Sequence, residues 1–332
     1  MKHDRSISRR ETFKVLLGAT AATLATPTAF QIWRATAAPS KQINIGWQKG
    51  SSFAVAKARG VLEGPLSDAG VAVKWIEFTA GPQMLEALNV GSIDFGSVGE
   101  APPVFAQAAG ANLLYAANEP ASPHAERILV PKDSSVRTVA ELKGKRVALN
   151  KGSNVHFLLV KALERAGLKY SDVEVSFLPP ADARAAFESK SIDAWVIWDP
   201  YSASAEADLG ARTLADGSDT VSNFQFFIAA KDYADKNPEV LSTLIRLLDD
   251  NDHWIEGHIK EAAAIIAPQI GLIPAVAEVS LARYAYGVAP LTDAVAKRQQ
   301  EIADTFYDLK LIPKKLDVAA AVWRPGRIGG KS

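Results

Sequence analysis

Two loops built from the same three residues are the first places in this chain where chemistry can be read. Lys49-Gly50-Ser51 and Lys151-Gly152-Ser153 each follow a short apolar run, "INIGW" and "RVAL", and each precedes an amphipathic run. A strand, a glycine turn and a helix start in that order aim unpaired backbone N–H groups and the positive end of a helix dipole at one point, which suits an anion. One such loop is weak evidence, because Ser153 and Asn154 are also ordinary N-cap residues. Two in matching positions are stronger. Around them lie further donors and acceptors: Gln48, the Gly81-Pro82-Gln83 turn, Ser97, Glu100, Glu119, Arg184 and the Trp198-Asp199 pair.

Catalytic patterns are absent from the sequence. It holds no G-x-S-x-G elbow, H-E-x-x-H pair, P-loop or G-x-G-x-x-G fingerprint. Ser153 and His156 stand one helical turn apart and offer a nucleophile and a base, yet Ser153 already serves as a cap and no third orienting group accompanies them. His253 and His258 are five apart, a poor metal spacing on one helix face. With no cysteine in 332 residues, disulfides, thiol nucleophiles, Cys-based zinc sites and a lipid-modified N-terminal Cys are excluded. The expectation is a binding protein, not an enzyme, with no metal and no cofactor.

The elements that must position these residues show an internal repeat. Residues 43 to 94 and 146 to 193 carry the same order of features: strand, K-G-S loop, helix, strand, Pro-containing loop, helix, Ser-Ile-Asp, next strand. Ser92-Ile93-Asp94 answers to Ser191-Ile192-Asp193. Alternating strands and helices imply a mainly parallel sheet with helices on both faces, and ligands beyond the carboxyl ends of the strands. The fold class expected is therefore α/β, two lobes joined by a two-strand hinge, with a ligand cleft between them. "ERILVPKD" (126–133) and "FQFFIAAKDYA" (224–234) read as two adjacent crossing strands, which makes the lobes 38–128 with 226–332, and 129–225. The helices after 237 are expected to supply packing to the first lobe and no chemistry.

Composition agrees with this size, since a chain 48 % apolar can bury two cores. Outside the first 37 residues acids exceed bases by four, so no basic stripe awaits nucleic acid. The start itself, "SRRETFKVLLGATAATLA" followed by "ATA" at 35–37, resembles a twin-arginine export signal with a small-x-small cleavage site. Its apolar run is too short to anchor in a bilayer, and no later stretch reaches spanning length without charge. Residues 1–37 are thus expected to be removed, leaving a periplasmic protein.

The runs "GWQKGSS", "FTAGPQMLEALNVGSIDFGSVGEAPPVFAQAAGA", "PADARAAF", "DAWVIWDPY" and "LIPKKLD" resemble the aliphatic sulfonate-binding proteins of ABC importers, relatives of taurine- and nitrate-binding proteins. The resemblance runs from about Ile43 to Trp323. It implies a type 2 periplasmic binding protein, acting as a monomer, that clamps an aliphatic sulfonate and delivers it to a membrane permease for sulfur acquisition. Relatives of this fold that cleave carbon–sulfur bonds use a Cys nucleophile, which is missing here.

A sulfonate is a fixed monoanion with three acceptor oxygens, so it needs convergent donors and gains nothing from a base. Candidate donors are the Gln48 amide, Gly50 and Ser51, the N–H groups of the turn that runs from Gly81 through Pro82 to Gln83, Ser97, and the Ser153-Asn154 turn. Arg184 can reach the anion or pair with an acid on the surface. Glu100, Glu119 and Asp199 can accept from a substrate amine or serve structure alone. Trp198 can cover an alkyl tail, whereas Trp195 has the opposite strand parity and belongs to the core. Lys49 and Lys151 are expected to face solvent. Rival ligands on the same fold are nitrate, bicarbonate, a sulfate ester or a nitrogenous heterocycle; an enzyme acting on an organosulfur compound is the remaining alternative.

Overall fold

The computed structural model describes residues 41–324. The twin-arginine segment lies outside the described residues. Four strands precede the first passage between lobes: β1 (Lys41–Trp47), β2 (Val71–Glu77), β3 (Phe95–Gly99) and β4 (Leu113–Asn118). Beyond it come β5 (Glu126–Val130), β6 (Arg146–Leu149), β7 (Glu174–Phe177), β8 (Ala194–Trp198) and β9 (Arg212–Asp216), and after the return β10 (Gln225–Ala230). They form two five-stranded sheets, ordered β2-β1-β3-β10-β4 and β7-β6-β8-β5-β9. The two orders match position for position.

Helices α1 (Ser52–Arg59), α2 (Glu63–Asp68), α3 (Gly81–Asn89) and α4 (Ala101–Ala108) connect the strands of the first sheet. In the second lobe α5 (Asn154–Arg165), α6 (Pro180–Glu188) and α7 (Tyr201–Leu209) follow β6, β7 and β8. The chain then adds α8 (Lys231–Lys236), α9 (Pro238–Gly257), α10 (Ile259–Ile270), α11 (Pro274–Leu281) and α12 (Asp293–Asp308). One face of the first sheet is covered by Phe53 of α1 with Leu244 and Leu248 of α9. The other takes Met84, Val104 and Phe306 from α3, α4 and α12. Trp195 is fully buried in the core of the second lobe, as strand alternation requires.

The lobes join differently from the sequence expectation. β5 and β10 are not paired with each other: β10 runs antiparallel between β3 and β4, and β5 antiparallel between β8 and β9. Each is the first strand the chain makes on entering a lobe. The passage itself lies just ahead of them, where the outgoing and returning segments run side by side: Ser122 donates its backbone N–H to the Ser222 carbonyl (3.0 Å), and Glu119 donates to the Gln225 carbonyl (2.9 Å). Apolar composition marked the buried entering strands, while the polar passage carried no such signal.

The repeated Ser-Ile-Asp has a structural task in both lobes. Asp94 accepts the Asn44 backbone N–H (2.8 Å) on its carboxylate while its own N–H donates to the Asn44 carbonyl (2.8 Å). Asp193 and Arg146 repeat this, with both distances again 2.8 Å. Each aspartate so pins the loop entering β3 or β8 to the first parallel strand of its sheet, fixing where the carboxyl ends of those strands lie. Asp94→Ala leaves the Asn44 N–H without its partner and is expected to lower folding stability by about 1–3 kcal/mol, read from urea denaturation.

Candidate functional site

Between the lobes lies a cleft lined from one side by Gln48, Lys49, Gly50, Ser51, Gly81, Gly99 and Pro102, and from the other by Ser153, Asn154, Trp198 and Asp199. Asn223 and Gln225 close it at the passage, and Tyr284 at the back. The free space is about 30 Å³. That volume holds two or three waters at roughly 10–15 Å³ each.

The K-G-S loops bring the lobes this close. Gly50 has a φ of 88°, and a Cβ there would stand 2.5 Å from Pro200 Cδ and 2.8 Å from the Asp199 carbonyl of the other lobe. Gly152, with a φ of 74°, faces Phe105 of the first lobe in the same way, a Cβ falling 3.3 Å from its ring. Each loop thus offers its bare glycine to the opposite lobe.

Helix starts supply the donors. α1 begins behind Ser51, α3 at Gly81 and α5 behind Ser153, and in none of them does the N-cap side chain bond its own helix. Ser153 Oγ donates instead to the Asn150 carbonyl (2.7 Å), so the capping role it was expected to fill is not taken up. The starts of two helices from one lobe and one from the other thus meet at the cleft, where Ser51, Gly81, Ser153 and Asn154 line it.

Several side chains expected to donate are already engaged. The Gln48 amide donates to the Ser97 carbonyl (3.0 Å), and Asn154 donates to Glu126 (2.6 Å) and to Asn223 Oδ1 (3.1 Å). Ser97 is buried and off the cleft wall. Pro82 lies next door, in an apolar hollow, and the Gln83 side chain is exposed. Lys49 sits at the cleft rim, 3.8 Å from Glu77, and Lys151 is exposed beside the Phe177 ring.

Three expected contacts fall elsewhere. Arg184 is held on the outside of the second lobe by Glu188 (2.9 Å), Ser204 (2.9 Å) and Asp208 (3.0 Å), so its fork never points at the cleft. Glu100, 1 % exposed, accepts the Phe224 N–H (3.1 Å), and burial pushes its carboxyl up to about 7. Glu119 takes the Ser52 hydroxyl, and burial with Asp252 nearby raises it well above the carboxylate range. Both glutamates stand behind the cleft wall, not on it. Asp199 is on the wall but spent internally: its carboxylate accepts from Ser202 Oγ (2.5 Å), Ala203 N–H (3.0 Å) and Arg283 (3.1 Å). Burial still lifts it to about 6.

Arg283 and Tyr284 were invisible in the sequence. They follow α11, and the Tyr284 hydroxyl donates to the Asp199 carbonyl (3.1 Å) while Arg283 also reaches Glu206 (2.5 Å). The turn after α11 therefore contributes to the site, in a C-terminal region expected to supply packing alone. Ser153 and His156 make no nucleophile–base pair: His156 Nδ1 accepts from Gly152 N–H (3.3 Å), leaving Nε2 to donate to the Tyr170 hydroxyl (2.8 Å). Desolvation lowers this imidazole to about 4, so it is neutral. No group of metal-ligating side chains occurs among the described residues.

Two α/β lobes of matching topology, passed twice by the chain and presenting helix starts to a shared cleft, define a type 2 periplasmic binding protein fold. Solved structures place it more closely. The alkanesulfonate-binding protein SsuA of Xanthomonas axonopodis pv. citri, bound to MOPS, is 44 % identical, with 85 % of this chain and 98 % of that one covered at a TM-score of 0.81. The periplasmic aliphatic sulphonate-binding protein SsuA of Escherichia coli is 43 % identical, covering 88 % and 94 %, at 0.78. The desulfurization enzyme DSZB shares the fold alone, at 14 % identity and 0.61, over 85 % and 96 %. Residues 36–271 match the NMT1-like family, and the chain belongs to it.

The buried carboxyls make stability depend on pH. Glu100 and Asp252, both raised to about 7, are protonated in the folded protein where the unfolded chain has already ionised. Their contribution is complete below about pH 4 and is lost as pH rises through 7. The melting temperature is expected to fall from pH 5 to pH 8, and less steeply in Glu100→Gln, in thermal scans across that range.

Proposed function

We propose that this chain is an extracytoplasmic solute-binding protein that captures aliphatic sulfonates in the interlobe cleft and hands them to the permease of an ABC importer. The observation that carries the reading is the meeting of three helix starts without side-chain caps at one narrow gap. A sulfonate offers three acceptor oxygens and a charge that never titrates away. Hydrogen bonds to a charged group contribute about 1.5–3 kcal/mol each, and each helix end roughly 0.3–1 more, so four or five such contacts allow micromolar affinity after ordering costs. The similar proteins from Xanthomonas and Escherichia coli are named for alkane and aliphatic sulfonates, which supports the same cargo here.

The engaged side chains support capture without catalysis. Ser153 and His156 bond elsewhere, and no cysteine is present to attack sulfur. Export through the twin-arginine signal, a periplasmic location and a monomeric state complete the proposal. So does a ligand set of Gln48, Gly50, Ser51, Gly81, Ser153, Asn154 and Trp198, in lobes divided at the 119–125 and 217–224 passages.

Alkanesulfonates are expected to raise the melting temperature with the logarithm of their concentration, by about 2.7 kcal/mol of stability at a hundredfold excess over Kd. A shift with nitrate and none with any sulfonate would hand the site to the rival ligand. Ser51→Pro cannot keep the φ of 79° found at Ser51 and is expected to weaken binding more than tenfold, while Lys151→Ala changes it less than threefold. Calorimetric titration of the two variants measures whether turns or charges hold the anion.

A further inference from the structure

Among the described residues, His156 alone of the histidines has no exposed surface. It lies in the first turn of α5, directly after Ser153 and Asn154 of the cleft wall, and is itself absent from that wall. Its ring stands where rings of both lobes meet. Phe105 of α4 is stacked on it with centroids 6.2 Å apart, and Phe306 of α12 is tilted against it at 5.5 Å, both from the first lobe. Phe177 at the end of β7 and Tyr170 of the 170–172 turn, from the second lobe, each stand at 5.5 Å.

Both ring nitrogens are committed. A neutral imidazole has one N–H and one bare nitrogen, and its partners decide which is which. Nε2 donates to the Tyr170 hydroxyl (2.8 Å), so Nδ1 is bare and accepts the Gly152 N–H (3.3 Å). Gly152 has a φ of 74° and sits against the Phe105 ring, with no side chain of its own to hold it there. Ser153 closes the turn from within, on the Asn150 carbonyl, whereas His156 joins it to rings of both lobes. We propose that His156 is a positioning residue for the anion site: its Nδ1 fixes Gly152, and with it the Ser153-Asn154 helix start, while its ring seats that turn on the first lobe. The proposal rests on the reading of the cleft as a sulfonate site. His156 touches no cargo and acts only through the turn.

Two variants and the unchanged protein test this, all as the full chain. His156→Phe keeps a ring and removes both polar bonds, and is expected to weaken butanesulfonate about tenfold in calorimetric titration. His156→Asn sets an amide oxygen near the place of Nδ1, so it recovers the Gly152 bond and is expected to stay within about threefold, although both variants melt at lower temperature. Heteronuclear NMR of the wild-type imidazole is expected to show the proton on Nε2 alone, and decides the matter if neither variant folds. Binding unchanged in His156→Phe, an equal loss in both variants, or a wild-type proton on Nδ1 would overturn the positioning role and leave the sulfonate site standing. No binding of butanesulfonate by the wild-type protein would overturn both.

Discussion

A site made of peptide dipoles exists only while several helix starts are held within a few ångströms of one another. No single helix end does much, since its field fades within a turn and water competes for its N–H groups. Convergence is what concentrates them, and here it is enforced by two features of the backbone. The twin aspartates lock the parallel strands of each sheet in place, and the glycines of the K-G-S loops let the lobes approach without a side chain between them. No N-cap side chain closes the starts of α1, α3 and α5, as at every other described α-helix but α12, so what sets these three apart is their meeting at one gap.

Much of this was legible in residue order. The repeat announced two lobes of one plan, and the paired K-G-S loops marked where they face each other. The spacing of Ser-Ile-Asp foretold a shared element, although its role as a strand pin needed coordinates. What could not be read was anything decided by which distant partner a polar group finds first. Arg184 looks like an anion ligand until Asp208 and Glu188 are seen beside it, and Glu100 looks like a cleft acid until α12 and the Phe224 N–H enclose it. Arg283 sits 84 residues from Asp199, in a stretch without motif or periodicity. Sequence reveals periodic burial well, because each element repeats it. Single long-range polar pairings leave no such trace.

The carboxyls behind the cleft show what the arrangement costs. Glu100, Glu119, Glu126 and Asp252 are buried around the passage, each with one oxygen unpartnered by any protein group. Asn154 and Asn223 thread between them and tie the second lobe to the passage. Burial raises all four above the ordinary carboxylate range, favouring their neutral forms and so lessening the negative charge close to an anion site. Asp199, the acid nearest the gap, is offset by Arg283 instead. Neutralisation by burial and by one salt bridge thus replaces the cluster of basic residues that an anion site in open water would need.

The Arg283 link changes the mechanics of release. The segment after α11 is tied back to the first lobe through Gly287 and Val288, which donate to Asp252 and Asp249, yet its arginine and tyrosine grip the second lobe at Asp199 and Glu206. The two halves are therefore laced by a third strap far along the chain from the paired passage. A swing that parts them must either stretch that strap or drag it along, so part of the resistance to opening lies outside the residues that line the cleft.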